Sequence, residues 1–344
     1  MHTNVPKFKF DLQKFEDSLC KKKHLNKWQI VLLIFTSVFA FLFLVINIFF
    51  DGKSLNNLEL LFSSNPYDVG LYTFAPISNF IVGFCLSSAS IAITVTTKNV
   101  LSGPTTLGFT PMIILANTST FLISIEEKTI TALLYVFSLL FCFALIATNF
   151  VLTKGNIQNA GFKPILISFA IGATVTAINI VVISQINDLK RDFATYVGFT
   201  VYPASLTKFL VSNILMIVTT IILFILSTRL NVIKKDFLLA KSLGIRVNLI
   251  YWMVAIGLVI ITVSASMLIG IVALIGVVIN IIINNIFKYS SITQQMFYAG
   301  LFGSVVLSFA GYFSEFLAGT REIVIAILAI PTFIYVLFKR KNKT

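Results

Sequence analysis

Gln29 to Phe50 reads QIVLLIFTSVFAFLFLVINIFF, a run without one ionisable side chain. A helix of about 20 apolar residues crosses the roughly 30 Å of hydrocarbon in a bilayer, so this stretch is long enough to span one. A basic tail precedes it. The run outlasts the apolar core of a signal peptide, and no small-residue cleavage site follows, so it reads as a retained span. Nine more apolar runs follow: Leu71–Thr97, Thr105–Ser124, Thr129–Leu152, Pro164–Ile186, Thr207–Thr228, Val247–Leu268, Gly270–Phe287, Ser290–Phe313 and Glu322–Phe338. Between Leu268 and Gly270 a break competes with one long helix.

The composition agrees. Of 344 residues, 57% are hydrophobic and 11% charged, against about 45–50% and about 25% in soluble domains. Charge at that level cannot cover the surface of a water-soluble protein of this length. A soluble enzyme, a secreted disulfide scaffold and a free nucleic-acid binder are excluded, and the fold class is an all-α polytopic membrane protein. Cys20, Cys85 and Cys142 are scattered, and His2 and His24 lie together in the tail, so no metal site can be assembled from them.

The net charge of +13 finds its reason in the topology. With ten spans both termini lie on one side, and only Lys53, Lys128, Lys190, Arg191, Lys208 and Arg321 of the 26 basic residues fall on the other. Acidic residues run the opposite way. Short cytoplasmic loops collect Lys and Arg, and one missed helix would invert every later loop, so the asymmetry predicts ten helices with both ends cytoplasmic. The expected organisation is a basic tail over 1–28, a transmembrane domain over 29–340 and a basic tail over 341–344. In the first tail Phe8, Leu12, Phe15 and Leu19 recur at spacings of 4, 3 and 4, as in a helix lying on the inner membrane surface; a disordered flank that only fixes orientation is the competing reading.

No span carries an unambiguous ionisable residue at its centre, which argues against a proton relay and against aspartate-rich membrane enzymes. Small and hydroxyl-bearing residues occur instead at helical spacing: Ser168, Gly172 and Thr176, and Gly300, Ser304 and Ser308. Such stripes let helices approach closely; a mildly polar lining of a transport path is the alternative. Gly52-Lys53-Ser54 resembles the end of a phosphate-binding loop, but no glycine stands five residues before Gly52. No nucleotide site is expected on this chain.

The loop from Arg229 to Val247 reads RLNVIKKDFLLAKSLGIRV. Phe237, Ala240, Ser242 and Leu243 predict a short helix in it, and Gly244 suits a left-handed stop. This loop resembles that of the permease family of binding-protein-dependent ABC importers for iron-siderophores, haem and cobalamin, the FecCD type. The family pattern L-N-x-L-x-L-G-E-E-x-A-R-S-L-G-V is met without a gap at Leu230, Asn231, Ala240, Ser242, Leu243 and Gly244, with Lys241 for arginine. The family's R-N-P-L-A-D-P-x-x-L-G is similar to Lys98, Asn99, Leu101, Pro104 and Gly108 in their order here, and G-P-I-G-F-V-G to Gly270–Gly276. Ile323, Val324, Pro331 and Phe333 resemble the last helix. The chain departs from the family where Val100 replaces the R-N-P proline and Asn280-Ile281 replaces P-H.

The resemblance implies a type II importer permease, in a bacterial cell membrane, working as a transport subunit without enzymatic activity of its own. A second permease copy or paralogue would complete the path, an extracellular binding protein would deliver the cargo, and two cytoplasmic ATPase subunits would bind the ATP. Phe237, Ala240, Lys241, Ser242, Leu243 and Gly244 would couple to the ATPase. Ser168, Thr174 and Thr176 would line the path or its gate. Ala75 and Glu315 stand where some family members place the outward arginines that dock the binding protein. The competing functions are an ion-coupled secondary carrier, which calls for an intramembrane charge or unwound helices in both halves and an internal repeat, none of which the sequence displays, and a membrane enzyme, which would have to recruit the outer Glu126–Glu127 and Asp188/Asp192 pairs, of a kind usually found on solvated loop faces.

Overall fold

The computed structural model describes residues 27–49, 73–122, 127–153, 163–185, 206–270, 274–288, 290–314, 325–327 and 330. The helices are α1 (Lys27–Phe49), α2 (Ala75–Thr97), α3 (Phe109–Leu122), α4 (Glu127–Leu152), α5 (Lys163–Gln185), α6 (Leu206–Lys235), α7 (Phe237–Ser242), α8 (Val247–Ile269), α9 (Ile275–Ile286) and α10 (Ile292–Ser314). Among the described residues there is no strand. The two tails, the Phe8–Leu19 pattern, Gly52–Ser54, Glu126, Asp188, Asp192 and most of Glu322–Phe338 lie outside the described residues.

Seven of these helices, α1, α2, α4, α5, α6, α8 and α10, are long and apolar enough to cross a membrane. Two expected spans come out short. α3 has 14 residues and α9 has 12, about 21 and 18 Å at 1.5 Å per residue. Hydropathy extends these spans because apolar and small residues that are not helical, Thr105–Gly108, Gly270, Leu274 and Phe287 among the described ones, count toward them. The break after α8 is real: the helix ends at Ile269, so one helix through 247–287 is excluded. The loop expected over 229–247 is also redrawn, since α6 runs on to Lys235 and only Asp236 separates it from α7.

α2 is the centre of the bundle. It packs above all against α10, and also against α8, α6, α9 and α1. Its interior positions are small or hydroxylic, with Ser78, Ser87, Ser88, Ser90, Thr94, Thr96 and Thr97 all buried. In lipid no hydrophobic force draws helices together, so close backbone approach has to do it. Gly83 of α2 and Gly303 of α10 meet at that contact: a Cβ on either would come within 2.4 Å of the other's carbonyl oxygen. Ser90, Thr94, Thr96 and Thr97 donate to carbonyls of their own helix, as Ser90 does to that of Leu86 at 2.8 Å, while Ser78 Oγ and Ser87 Oγ are buried without a hydrogen bond among the described residues. Across the seam, Ser88 Oγ donates to the Met296 carbonyl and Ser304 Oγ to the Phe80 carbonyl, both at 2.9 Å. The Gly300–Ser304 stripe is therefore a helix-packing face.

α3, α4 and α5 form a second group, joined to the first through the contacts of α4 and α3 with α8 and through the hydrogen bond of Tyr135 with Ser212 of α6. The outer faces differ in chemistry. α6 turns Ile214, Ile217, Val218, Ile221, Ile222 and Ile225 outward, a purely aliphatic surface.

Candidate functional site

Three features expected from sequence can be built up in turn: the short helix, the 98–108 and 270–276 segments, and the open face of α5. The short helix α7 is set by its two ends. Asp236 is extended, and its carboxylate accepts the Leu238 N–H at 2.8 Å, satisfying a donor that a helix start leaves orphaned. At the other end the Ile245 N–H donates to the Ala240 carbonyl and the Gly244 N–H to the Lys241 carbonyl, each at 3.0 Å. That pairing is a Schellman stop, which requires a left-handed residue, and Gly244 supplies it with φ of 75°. The left-handed stop expected at Gly244 is present.

Ala240 is fully buried and pins α7 inward, whereas Leu238 and Leu243 are 72% and 63% exposed. Lys241, Ser242 and Gly244 are exposed beside them. Phe237 is half-buried between two cations: Lys241 Nζ lies 4.8 Å from its ring centroid and Lys98 Nζ 5.6 Å. The Lys98 contact joins the short helix to the end of α2, where Lys98 itself closes the helix at φ of 52°. Spacing in sequence gave no sign of it.

The second motif packs against the described end of the third, Leu274–Gly276. After Lys98, the Asn99 carboxamide oxygen accepts the Leu101 N–H at 3.0 Å, and Thr106 Oγ1 accepts the Gly103 N–H at 2.8 Å and donates to the Leu101 carbonyl at 2.6 Å. α9 begins directly against this turn. The Leu274 N–H donates to Thr105 Oγ1 at 3.0 Å. A Cβ on Gly276 would lie 2.2 Å from Ser90 Oγ and 3.2 Å from Pro104 Cδ. Asn280, fully buried, donates through its amide to the carbonyls of Ser102 at 3.0 Å and Ser90 at 3.2 Å.

The backbone is unusual on the α9 side of this unit. Gly270 adopts φ 78°, ψ −163°, a region open essentially to glycine alone. Leu274 has φ of 62°, which for a residue with a Cβ costs about 1–2 kcal/mol. Irregular backbone within a membrane bundle persists only where protein or a water-filled cavity surrounds it. The backbone thus leaves helical geometry between α2 and α3 and again where α8 ends and α9 begins.

The same turn reaches α5. Gly108, at φ of 74°, sits so close to α5 that a Cβ would be 2.8 Å from the Ser168 carbonyl oxygen. Ser168 Oγ accepts the Asn149 amide, and Gly172 packs on Pro111. Ser168, Gly172 and Asn179 form the buried side of α5. Thr174 and Thr176 lie instead on its open side, flanking Ala170, Ala173 and Ala177. The stripe read as one face therefore divides, with Ser168 turned into the contact with α3 and α4. At the α2 start Ala75 is 2% exposed, so its side chain offers a partner no contact. Glu315 lies outside the described residues. Where α8 ends, a void of about 10 Å³ is bordered by Thr110, Thr262, Ser266 and Gly270, room for about one water molecule. Among the described residues no three His, Cys, Asp or Glu side chains gather.

A multi-pass helical bundle, non-helical backbone packed between its helices and a short capped helix at the end of α6 together describe a membrane permease. The chain belongs to the FecCD transport family, whose model matches residues 39–339. Two solved structures share the fold. A metal-chelate type ABC transporter in an inward-facing conformation superposes with a TM-score of 0.74 at 16% identity, over 89% of this chain and 98% of that one. PsaBC from Streptococcus pneumoniae, in complex with a Fab, superposes with a TM-score of 0.56 at 15% identity, over 81% and 93%. Among curated proteins none matches the chain in sequence.

Proposed function

We propose that this chain is the permease subunit of a binding-protein-dependent ABC importer in a bacterial cell membrane, carrying an iron-siderophore, haem or cobalamin. It works with a second permease copy or paralogue, two ATPase subunits that bind the ATP, and an extracellular binding protein. It has no nucleotide site of its own. Ten spans leave both termini cytoplasmic, with the domain over 29–340 between two basic tails.

The observation that carries this reading is α7, a helix of 6 residues capped at both ends and anchored by Ala240 and Phe237. So short a helix is not stable by itself, and here it holds Leu238 and Leu243 outward. An apolar pair displayed on a firm cytoplasmic helix fits a groove in an ATPase. The open face of α5 supports the two-permease path. A chelate needs a site of about 300–1,000 Å³, far more than the void at the end of α8. On the open α5 face Ala170, Ala173, Ala177, Thr174 and Thr176 leave small and hydroxylic surface for a second copy among the exposed Leu166, Phe169, Ile178, Ile180 and Val181. ATP shifts such a transporter between inward and outward states only by its differential affinity for them.

The test is co-purification from native membranes in mild detergent, with bound ATPase subunits identified by mass spectrometry, for the parent and for Ser242→Arg combined with Gly244→Asp. Recovery of the ATPase with the parent and its loss from the double variant, with the permease still folded, is the expected result. Folded parent that retains no ATPase overturns the reading. One second reading is an ion-gradient carrier, for which the non-helical backbone at Gly270 and Leu274 would serve as the site. Uptake that stops with an ionophore and persists without ATP would establish that reading instead.

A further inference from the structure

α6 does not stop where its lipid-facing stretch ends. Leu226, Leu230 and Ile233, all buried, carry one face of the helix onward toward Lys235. Beside them Ser227, Asn231 and Lys234 stand four and three apart, on neighbouring turns of one side. All three reach the start of α10. Ser227 Oγ and Thr293 Oγ1 are 2.7 Å apart. Asn231 Oδ1 accepts the Ile292 N–H at 2.6 Å. Lys234 Nζ donates to Gln295 Oε1 at 2.9 Å and to the Ser290 carbonyl at 3.3 Å.

The middle contact is the stiff one. The Ile292 N–H is among the four helix-start donors that lack an intrahelical acceptor. The local cap, Ser291 Oγ, serves the Gln294 N–H at 3.3 Å, so Asn231 completes the cap from another helix. Ser227 has a second outlet, the Phe224 carbonyl at 2.6 Å, and Lys234 acts through a long flexible stem. Asn231 joins a side chain with two torsions to fixed backbone.

We infer that Asn231 is a positioning residue that transmits the ATPase stroke to α10. α7 follows α6 after Asp236 alone, so force on α7 displaces the last turns of α6. The Asn231–Ile292 bond carries that displacement into α10, and the α10–α2 seam spreads it through the bundle. The inference rests on the importer reading, and the test separates the two.

The full chain is assembled with its ATPase in lipid nanodiscs, with Cys20→Ser and Phe313→Cys. Cys85 and Cys142 are buried and silent, and Phe313 lies at the far end of α10 from Ile292. Labelling by a membrane-impermeant maleimide is followed with and without ATP plus vanadate, and ATP hydrolysis is measured in the same samples. In the parent, nucleotide is expected to change the labelling rate about fivefold or more, the lower end of ordinary coupling between sites. Asn231→Leu keeps hydrolysis close to the parent's but loses the nucleotide effect, and Asn231→Asp, which retains an acceptor, restores most of it. Asn231→Leu that keeps the effect, Asn231→Asp that fails like leucine, hydrolysis that falls along with the labelling response, or a parent without a response each overturns the inference. A parent complex that hydrolyses no ATP overturns the importer reading, and this inference with it.

Discussion

Gly303→Ala tests whether the α2–α10 seam holds the bundle together. A Cβ at Gly303 would lie 2.2 Å from the Gly83 carbonyl oxygen and 2.1 Å from Ser87 Oγ. Comfortable heavy-atom contact begins near about 3.5 Å, so the helices must part by roughly 1 Å, and one obstacle is backbone that cannot rotate away. Overpacking of this kind costs up to about 3 kcal/mol. Alanine returns about 1 kcal/mol of helix propensity over glycine. The net loss of about 2 kcal/mol is about 30-fold in the folding equilibrium, or a melting point lower by roughly 5 °C. Gly257→Ala is the control. Its Cβ would meet only side-chain ends, Leu223 Cδ2 at 3.2 Å and Thr219 Cγ2 at 3.3 Å, which yield, so its melting point stays level or rises. Both are read in detergent with a thiol-reactive dye that reports exposure of Cys85 and Cys142, in a Cys20→Ser background. Gly303→Ala melting at or above the parent, or both variants falling together, refutes the reasoning.

Asn280→Ala removes both amide bonds from α9 to the Ser90 and Ser102 carbonyls, a loss of about 2 kcal/mol for a buried site. Asn280→Asp sets a carboxylate against those two carbonyls, so the same dye melt should rank it below alanine, with the parent highest. Asp236→Ala removes the α7 cap, worth about 1 kcal/mol; the Phe237–Ser242 amides should exchange several-fold faster by mass spectrometry while the melting point of the bundle holds. Exchange that does not change there would show that the cap contributes nothing.

Apolar runs disclose how much chain lies in lipid, but not how much of it is helix. Val247–Leu268 came within a residue of α8, because composition and helical geometry coincide there. Over Thr105–Ser124 and Gly270–Phe287 they part company. Thr105 and Gly270 are small enough to sit unwound among other helices, and hydropathy scores them as it would in a helix. The short helix was legible because its signals are local: an acidic cap, a turn of apolar spacing and Gly244. The joining of 98–108 to 274–276 was not, since it depends on Thr105 meeting Leu274 across 169 positions. Ser168, Thr174 and Thr176 share a segment, and periodicity sorts them into faces without saying which face meets protein. Asn231 and Lys234 read as loop because lipid-like composition ends at Thr228. The buried Leu230 and Ile233 continue the helical phase beyond it.

The single residue between α6 and α7 leaves no slack in angular phase. One residue inserted between Lys234 and Asp236 would advance the screw of α6 by about 100° and 1.5 Å. The α10 clasp behind it would stay as it is, while Leu238 and Leu243 swung round toward the side of the bundle. Related chains should therefore vary freely in the length of their other connections and hold this one constant to the residue, as a gear tolerates a longer shaft but not a missing tooth.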